Sequence, residues 1–295
     1  MSVCARRSSA RAALILAAMT AAGTPGTTAA QPAPDVETPQ GAPGRVVSMN
    51  VCTDQLAMLI ADEGQILSVS WLASDPRMSA MTAEAGALPQ NHGRAEEIFL
   101  LRPDLVIAGT YAGREAAQML ERLSVRVERF EPATSLDAVA DRILQMGRAL
   151  GHEARAEAMA ADYRDGLARL RAQAGRRPRA ALYYANGYTS GDRSLAGEIL
   201  DAAGLANVAG EVGYAAGGIM PLEVLAMAVP EILVTGQTYP GASRSEAILD
   251  HPVVTALRGG PGGRIADRDW VCGTPHVLRA IGGLSGLVSG DASGR

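Results

Sequence analysis

A pattern of fourteen residues occurs twice in this chain, and it restricts the possible folds more than any other feature. Residues 96–109 read EEIFLLRPDLVIAG and residues 223–236 read EVLAMAVPEILVTG, so a glutamate, a proline and a glycine each recur 127 positions apart. Each copy predicts a helix headed by glutamate, a stop at proline, and a buried strand that ends at glycine. Any α/β unit can show this order of residues, but two copies this similar favour a chain of two similar halves.

Short apolar runs alternate with helical patterns on both sides of a longer helical stretch. Strands are predicted at 46–48, 66–70, 105–107, 125–130, 180–184 and 232–235. From Ser135 to Gln173 apolar residues recur at helical spacing, and Gly151 is the point where this stretch would kink or divide. The predicted fold class is therefore α/β, with two similar α/β lobes joined by one long rigid helix and a ligand cleft between the lobes.

The chain begins with the pattern of a secretory signal. An apolar run that ends near Ala22 is preceded by Arg6, Arg7 and Arg11, and small residues follow it up to Ala30. That run is too short to span a bilayer, so we expect cleavage near Ala30 and export to the periplasm. The predicted organisation is a signal peptide (1–30), a Pro-rich tether (31–44), an N-terminal lobe (45–134), the connecting long helix (135–173) and a C-terminal lobe (174–295).

Composition and motifs argue against several classes of function. The chain is 47% hydrophobic and its net charge is -4, which disfavours a nucleic-acid partner bound through a basic face. No nucleophile elbow or phosphate-binding glycine loop is present, and the four histidines are dispersed. We therefore predict no catalytic residues and no metal site built into the protein. A free transition-metal-ion binder and a secreted α/β enzyme with an unfamiliar site remain the alternatives.

Two cysteines, Cys52 and Cys272, remain after signal cleavage. In an oxidising compartment this even number permits one long-range disulfide. A pair of small buried thiols is equally compatible with the sequence.

Four segments, in order, carry a family resemblance: RVVSMNVCTDQLAMLIAD, EEIFLLRPDLVIAG, PLEVLAMAVPEILVTG and DRDWVCGTPHVLRAI. Over about residues 45–288 the chain resembles the periplasmic substrate-binding proteins that deliver cobalamin, haem or ferric siderophores to ABC importers. Thr189-Ser190-Gly191 and Asp269-Trp270 are similar to the pattern of cobalamin-binding members. The resemblance implies a monomer without an intrinsic cofactor, whose transported ligand is cobalamin, haem or a ferric siderophore.

The resemblance also gives the glutamates of the repeat a role. In this family one exposed glutamate per lobe docks onto arginines of the permease dimer, and Glu96 and Glu223 occupy the matching positions. Two carboxylates far apart on a rigid body would fix the orientation of docking. The alternative is that each glutamate only favours a helix N-terminus through the helix dipole.

Ligands of open α/β sheets bind at the carboxyl ends of the strands, and a flat chelate requires aromatic walls with a few polar groups. His92 would be a candidate ligand for the metal, and Arg94 would meet a carboxylate or phosphate. A solvated loop for His92 and core packing for Tyr184 are the alternatives. The predicted ligand-binding residues are Trp71, Tyr111, His92, Arg94, Tyr184, Tyr188, Tyr239 and Trp270.

Overall fold

The computed structural model describes residues 41–172, 176–236, 241, 243–258, 262–265 and 267–289. The expected signal peptide and most of the expected tether therefore lie outside the described residues, and so does Tyr239. None of the helices within the described ranges has the length and apolarity that a membrane span requires.

The N-terminal lobe is built on a parallel sheet of five strands in the order β3-β2-β1-β4-β5. The three inner strands of this sheet are short, mostly apolar and largely buried, because helices cover the sheet. The strands are β1 (Val46–Ser48), β2 (Ile66–Ser70), β3 (Gln90–Asn91), β4 (Leu105–Gly109) and β5 (Val127–Phe130).

The C-terminal lobe has its own parallel sheet of four strands in the order β11-β10-β6-β8. A separate antiparallel pair, β7 with β9, lies beyond the end of β6. The strands are β6 (Arg179–Tyr183), β7 (Tyr188–Thr189), β8 (Ala206–Asn207), β9 (Gly218–Ile219), β10 (Ile232–Gly236) and β11 (Gly262–Ile265). The prediction of an α/β fold with parallel sheets in two lobes is confirmed.

Helices connect successive strands in both lobes. They are α1 (Val51–Ile60), α2 (Thr82–Gly86), α3 (Ala95–Leu100), α4 (Arg114–Arg122), α5 (Leu136–Leu150), α6 (Glu153–Ala172), α7 (Leu195–Ala202), α8 (Val208–Glu211), α9 (Leu222–Ala228), α10 (Pro252–Arg258) and α11 (Val277–Ser289).

The prediction of one long connecting helix over 135–173 is wrong, because α5 and α6 form an antiparallel hairpin. Gly151 takes the left-handed conformation (φ 77°) and ends α5, as glycine does at many helix ends. The helices then approach closely at Gly147, where an added Cβ would lie 2.2 Å from the Cβ of Ala156. Further along the pair, the Tyr163 hydroxyl donates a hydrogen bond of 2.9 Å to the Leu136 carbonyl.

The two lobes are joined by a shared apolar core and not by one long helix. One apolar cluster includes Val46 and Leu105 of the first sheet, Leu182 and Val234 of the second, and Ile143 of α5. Each sheet also has one smaller apolar cluster on its outer face. Because protein interiors are close-packed, a core that is continuous through the hairpin resists large movements of one lobe against the other.

The two copies of the repeat fold alike. In each, a short helix (α3 or α9) leads into a central strand (β4 or β10), as the sequence predicts. The residue before each proline, Arg102 in one copy and Val229 in the other, has a positive φ of 49° and 44° respectively. This conformation is rare for residues other than glycine and especially for β-branched valine, so its recurrence marks the same chain reversal in both lobes.

Candidate ligand cleft

Two adjoining cavities lie where the strands of both sheets end. The larger, about 550 Å³, is lined by residues that follow β6, β10 and β11. The smaller, about 250 Å³, is lined by residues that follow β1, β4 and β5. Ala133 and Val271 line both, so the cavities are parts of one cleft. This is the position that parallel α/β sheets offer to ligands.

Three aromatic side chains form a wall of the larger cavity. The ring centroid of Tyr184 lies 5.3 Å from that of Trp270 and 6.5 Å from that of Tyr188. Trp270 is almost fully buried, and its indole N–H donates a hydrogen bond of 3.3 Å to Asp267. The cluster offers an extended aromatic surface to a flat ligand.

A tight turn folds Tyr188 back onto Tyr184. The Tyr184 N–H donates to the Tyr188 carbonyl (2.9 Å), and the Gly187 N–H donates to the Tyr184 carbonyl (3.0 Å). Asn186 and Gly187 both have positive φ values. Glycine is required at 187, because an added Cβ would lie 2.9 Å from the Tyr183 hydroxyl oxygen and 3.0 Å from the Met220 carbonyl oxygen.

The phenol of Tyr184 stays neutral in this environment. Burial raises the pKa of Tyr184 well above its ordinary value, and the negative charge of Asp267 acts in the same direction. The Tyr184 hydroxyl makes no well-aligned hydrogen bond to another described residue, although Ser190 is nearby. The group is therefore available to donate a hydrogen bond to a ligand.

The smaller cavity also has polar side chains in its wall. It contains Tyr111, which is 75% exposed, and Thr110, Glu131 and Arg142. The Thr110 hydroxyl oxygen and the Arg142 Nε are both buried, and neither forms a hydrogen bond within the described part of the chain. These two groups could serve a ligand without breaking an existing contact.

Cys52 and Cys272 are joined by a disulfide, with their Cα atoms 5.0 Å apart. Cys52 lies in α1 and lines the smaller cavity, and Cys272 follows two residues after Trp270. The bond therefore fastens the first helix of the N-terminal lobe to the loop that carries the tryptophan of the larger cavity. Asn50 caps the start of this helix, because its side chain accepts the Cys52 N–H at 3.0 Å.

The structure brings together only some of the residues predicted to bind ligand. Tyr184, Tyr188 and Trp270 share the larger cavity, and Tyr111 lines the smaller one. Trp71 follows β2 at the same edge of the first sheet and is half exposed, but it lines neither cavity.

His92 and Arg94 also lie outside the walls of both cavities. The backbone N–H groups of both residues donate to the Glu97 carboxylate, at 2.6 Å and 3.0 Å. The His92 ring nitrogen lies 3.7 Å from the same carboxylate. This local arrangement caps the start of α3, which fits the solvated-loop alternative for His92.

Several cleft residues were not singled out from the sequence. Asp267 follows β11, a strand that the sequence patterns did not predict, so the strand-end rule could not point to it. Arg142 lies inside α5, where nothing in the pattern separates it from other helix arginines. The missed residues are Thr110, Glu131, Arg142, Arg193, Glu246 and Asp267. Across the described residues, no group of three or more histidine, cysteine or acidic side chains is arranged to hold a metal ion.

The parallel sheets of two lobes with a cleft at their strand ends define a ligand-binding α/β protein. Residues 46–267 match the periplasmic binding protein family. The chain belongs to that family.

Solved structures with the same fold share little sequence with this chain. A periplasmic heme-binding protein from Roseiflexus sp. RS-1 has a TM-score of 0.70 at 23% identity, over 86% of this chain and 100% of that one. A periplasmic vitamin B12 binding protein from Vibrio cholerae has a TM-score of 0.64 at 19% identity, over 86% and 99%. At these identities the likeness concerns the fold.

A curated relative, named as a cobalamin-binding protein of Halobacterium salinarum, is 30% identical over 200 residues. The match covers 66% of this chain and 54% of the relative. The chain thus spans about half the length of the curated relatives it matches.

Proposed function

We propose that this chain is an exported binding protein that captures a metal chelate in the cleft and delivers it to an ABC importer in the membrane. The chelate is a corrinoid of the cobalamin type, a haem or a ferric siderophore. The protein acts in the periplasm as a monomer and carries out no catalysis. The observation that carries the proposal is the aromatic wall of Tyr184, Tyr188 and Trp270 inside a cavity of about 550 Å³ at the strand ends.

The shape and chemistry of this wall support a flat, partly apolar ligand. Aromatic rings give a large contact area at a low cost in side-chain entropy, and Trp270 is already held in place by packing and by Asp267. Arg193, Glu246 and Asp267 line the same cavity and would meet the polar edge of a chelate. Among the three ligand classes, the relative named as a cobalamin-binding protein favours a corrinoid.

Docking onto the permease is proposed for Glu96 and Glu223. Both side chains lie in the first turn of their helices, α3 and α9, and both are exposed. Neither forms an ion pair with another described residue. They therefore remain free to pair with arginines on a dimeric permease, and one contact per lobe would match its two subunits.

Each docking glutamate has an exposed apolar neighbour one helical turn further on. Leu100 is 79% exposed and Met227 is 83% exposed, and they are four residues after Glu96 and Glu223. Residues i and i+4 lie side by side on a helix, so each lobe presents a carboxylate beside an apolar side chain. The recurrence of this pair at equivalent positions supports a common role in docking.

Spectral titration of the mature protein tests ligand capture. Purified residues 31–295 are titrated with cobalamin, haemin and a ferric hydroxamate, and both absorbance and tryptophan fluorescence are recorded. The chain has two tryptophans, Trp71 and Trp270, so Trp71→Phe reports on the cleft alone and Trp270→Phe reports on Trp71 alone. We expect saturable quenching in the Trp71→Phe protein with at least one chelate.

The matched variants also show which predicted tryptophan belongs to the site. Free N-acetyltryptophanamide corrects for light absorbed by the chelate. Equal and non-saturable quenching of both variants by all three chelates would refute the proposal. Conversion of a chelate to product, without the permease, would favour the enzyme alternative.

A further inference from the structure

The smaller cavity of the cleft contains two polar groups that have no hydrogen-bond partner among the described residues. Arg142 Nε and Thr110 Oγ1 are both buried, and neither forms a hydrogen bond within the described ranges. Both residues line the cavity of about 250 Å³ at the ends of β4 and β5. Buried polar atoms are nearly always paired, because an unpaired one loses its hydrogen bonds to water without replacement.

A neighbouring polar side chain on the same helix, Gln145, does have hydrogen-bond partners. Gln145, about one turn after Arg142 in α5, donates to the Glu128 carboxylate at 2.8 Å and to the Arg129 carbonyl at 3.0 Å. Glu131 lines the same cavity as Arg142, yet the two form no ion pair of 4.0 Å or less. The Arg142 Nε thus lies in the wall of the cleft without a hydrogen bond to any described residue.

We propose that Arg142 and Thr110 form a subsite for an anionic group of the ligand, a carboxylate or a phosphate. An arginine in a partly dry cavity binds such a group through charge-assisted hydrogen bonds, and a hydroxyl beside it adds a further donor. This inference rests on the proposed function, because the larger cavity must hold the body of the same ligand. Since the two cavities share Ala133 and Val271, one chelate can lie on the aromatic wall and extend its acidic group to Arg142.

The subsite predicts a preference between chelates that differ in their acidic groups. Haemin has two carboxylates, and its dimethyl ester has none. Cobalamin has a phosphate in its nucleotide loop, which cobinamide lacks. The ester comparison therefore tests a carboxylate, and the cobinamide comparison tests a phosphate.

The experiment measures the dissociation constants of these four probes for the wild-type mature protein and for four variants. Arg142→Gln removes the charge, Arg142→Lys keeps it without the planar fork, and Thr110→Val removes the hydroxyl at nearly constant shape. Arg148→Gln is the matched control, because Arg148 lies on the same helix and is exposed outside the cleft. Circular dichroism and thermal unfolding check that each variant is folded.

We expect wild type to bind one acidic probe about tenfold more tightly than its neutral counterpart. Arg142→Gln should abolish that preference, Thr110→Val should reduce it by about fivefold or less, and Arg148→Gln should leave it intact. If Arg142→Gln is unfolded, loss of the preference in Arg142→Lys or its reduction in Thr110→Val still supports the subsite.

Two results would overturn the inference, and they are distinguishable. Wild type that binds a chelate but shows no preference for its acidic form, or a preference that all variants retain, rejects the subsite and leaves the proposed function standing. Wild type that binds none of the four probes by saturable quenching rejects the subsite, and it rejects the proposed function as well only if the ferric hydroxamate also fails to bind.

Discussion

The two lobes use one backbone plan but present different walls to the cleft. In the C-terminal lobe, Tyr184, Tyr188 and Trp270 give a wide aromatic surface. In the N-terminal lobe the cavity is less than half as large, and Arg142 Nε and Thr110 Oγ1 have no hydrogen-bond partner among the described residues. Under the proposed function, the repeated scaffold is similar where both lobes would contact the permease and differs where each lobe would contact its own part of the ligand.

The outer surfaces of the two lobes are similar, whereas their cleft walls differ. Glu96 and Leu100 in one lobe have counterparts in Glu223 and Met227 in the other, and all four side chains are exposed. The matching left-handed residues before the two prolines keep each helix in the same relation to its strand. Equivalent outer surfaces suit a partner with two equivalent subunits.

Loss of both docking glutamates should have the largest effect. We expect Glu96→Ala with Glu223→Ala to lower uptake of the chelate by at least about 100-fold, because two charged contacts are lost together. Chelate affinity of the purified protein should not change. The measurement is uptake of labelled chelate in cells that contain the matching permease.

Single variants sharpen the comparison of the lobes. If the two surfaces are equivalent, Glu96→Ala and Glu223→Ala should each reduce uptake by a similar factor. The control is Glu63→Ala with Glu157→Ala, which removes two exposed glutamates outside the repeat. Normal uptake by the docking double variant would show that the glutamates only support their helices.

Removal of the disulfide should have the next largest effect, because it is the covalent link between the two walls. Cys52 and Cys272 are separated by 220 positions. A crosslink that closes a loop of this length stabilises the folded state by about 5 kcal/mol in the chain-entropy account. Cys52→Ala with Cys272→Ala should lower the free energy of unfolding in urea by up to that amount.

The reduced wild-type protein provides an independent check. Reductant should destabilise wild type and leave the double variant unchanged. Mass spectrometry of the oxidised wild type should show a gain of two daltons on reduction. Equal stability of all these forms would mean that the bond adds nothing to the coupling of the lobes.

A buried carboxyl in the N-terminal lobe should make stability depend on pH. Burial raises the pKa of Asp54 from 3.8 to about 7, although hydrogen bonds from Ser70 act in the opposite direction. The folded state therefore keeps this proton after the unfolded chain has lost it. The free energy of unfolding should fall as pH rises from about 4 to 7, by up to ~4 kcal/mol from this group.

Asp54→Asn tests this dependence. The amide oxygen can still accept the Ser70 hydrogen bonds, but the side chain no longer titrates, so the decline between pH 4 and 7 should become shallower. Asp165→Asn, an exposed site on α6, is the control. Urea unfolding at several pH values gives the slope, and an unchanged slope in Asp54→Asn would contradict the prediction.

The smallest predicted effect compares the aromatic residues of the two walls. Trp270→Ala should weaken chelate binding by about tenfold, because the indole is 8% exposed and packs on Tyr184. Tyr111→Ala should weaken it by only about twofold, because the ring is 75% exposed. Isothermal titration with the chelate that binds wild type measures both. A larger loss in Tyr111→Ala would place the main contact in the N-terminal lobe.

Local patterns were enough to predict six of the eleven strands in the described residues and both helices of the repeat. These strands are β1, β2, β4, β5, β6 and β10, and they lie where apolar runs and the proline stops place them. The prediction of one helix over 135–173 was wrong at one point. The helical spacing of apolar residues continues through Gly151, although the chain reverses its direction there. A single glycine is compatible with a kink or with a turn, and the packing of Gly147 against Ala156 decides for the turn.

The candidate cleft was predictable only in part. The strand-end rule found Tyr111, Tyr184, Tyr188 and Trp270, because position after a strand is a local property. It did not predict that His92 lies outside the walls of both cavities, where its backbone N–H donates to the Glu97 carboxylate in the turn before α3. Arg142 was missed because its place in the cleft comes from the packing of a helix against a distant strand end.

The order of residues alone determined the alternation of strands and helices, the doubling of the motif around Glu96 and Glu223, and the availability of two cysteines for a bond. These follow from short-range preferences of the backbone and from apolar spacing. Only the tertiary structure decided that Cys52 meets Cys272 and that α5 and α6 fold back on each other. It also decided that Arg142 lines a cavity, with its Nε unbonded to any described residue. Each of these depends on close packing between segments far apart in the chain, which local patterns do not encode.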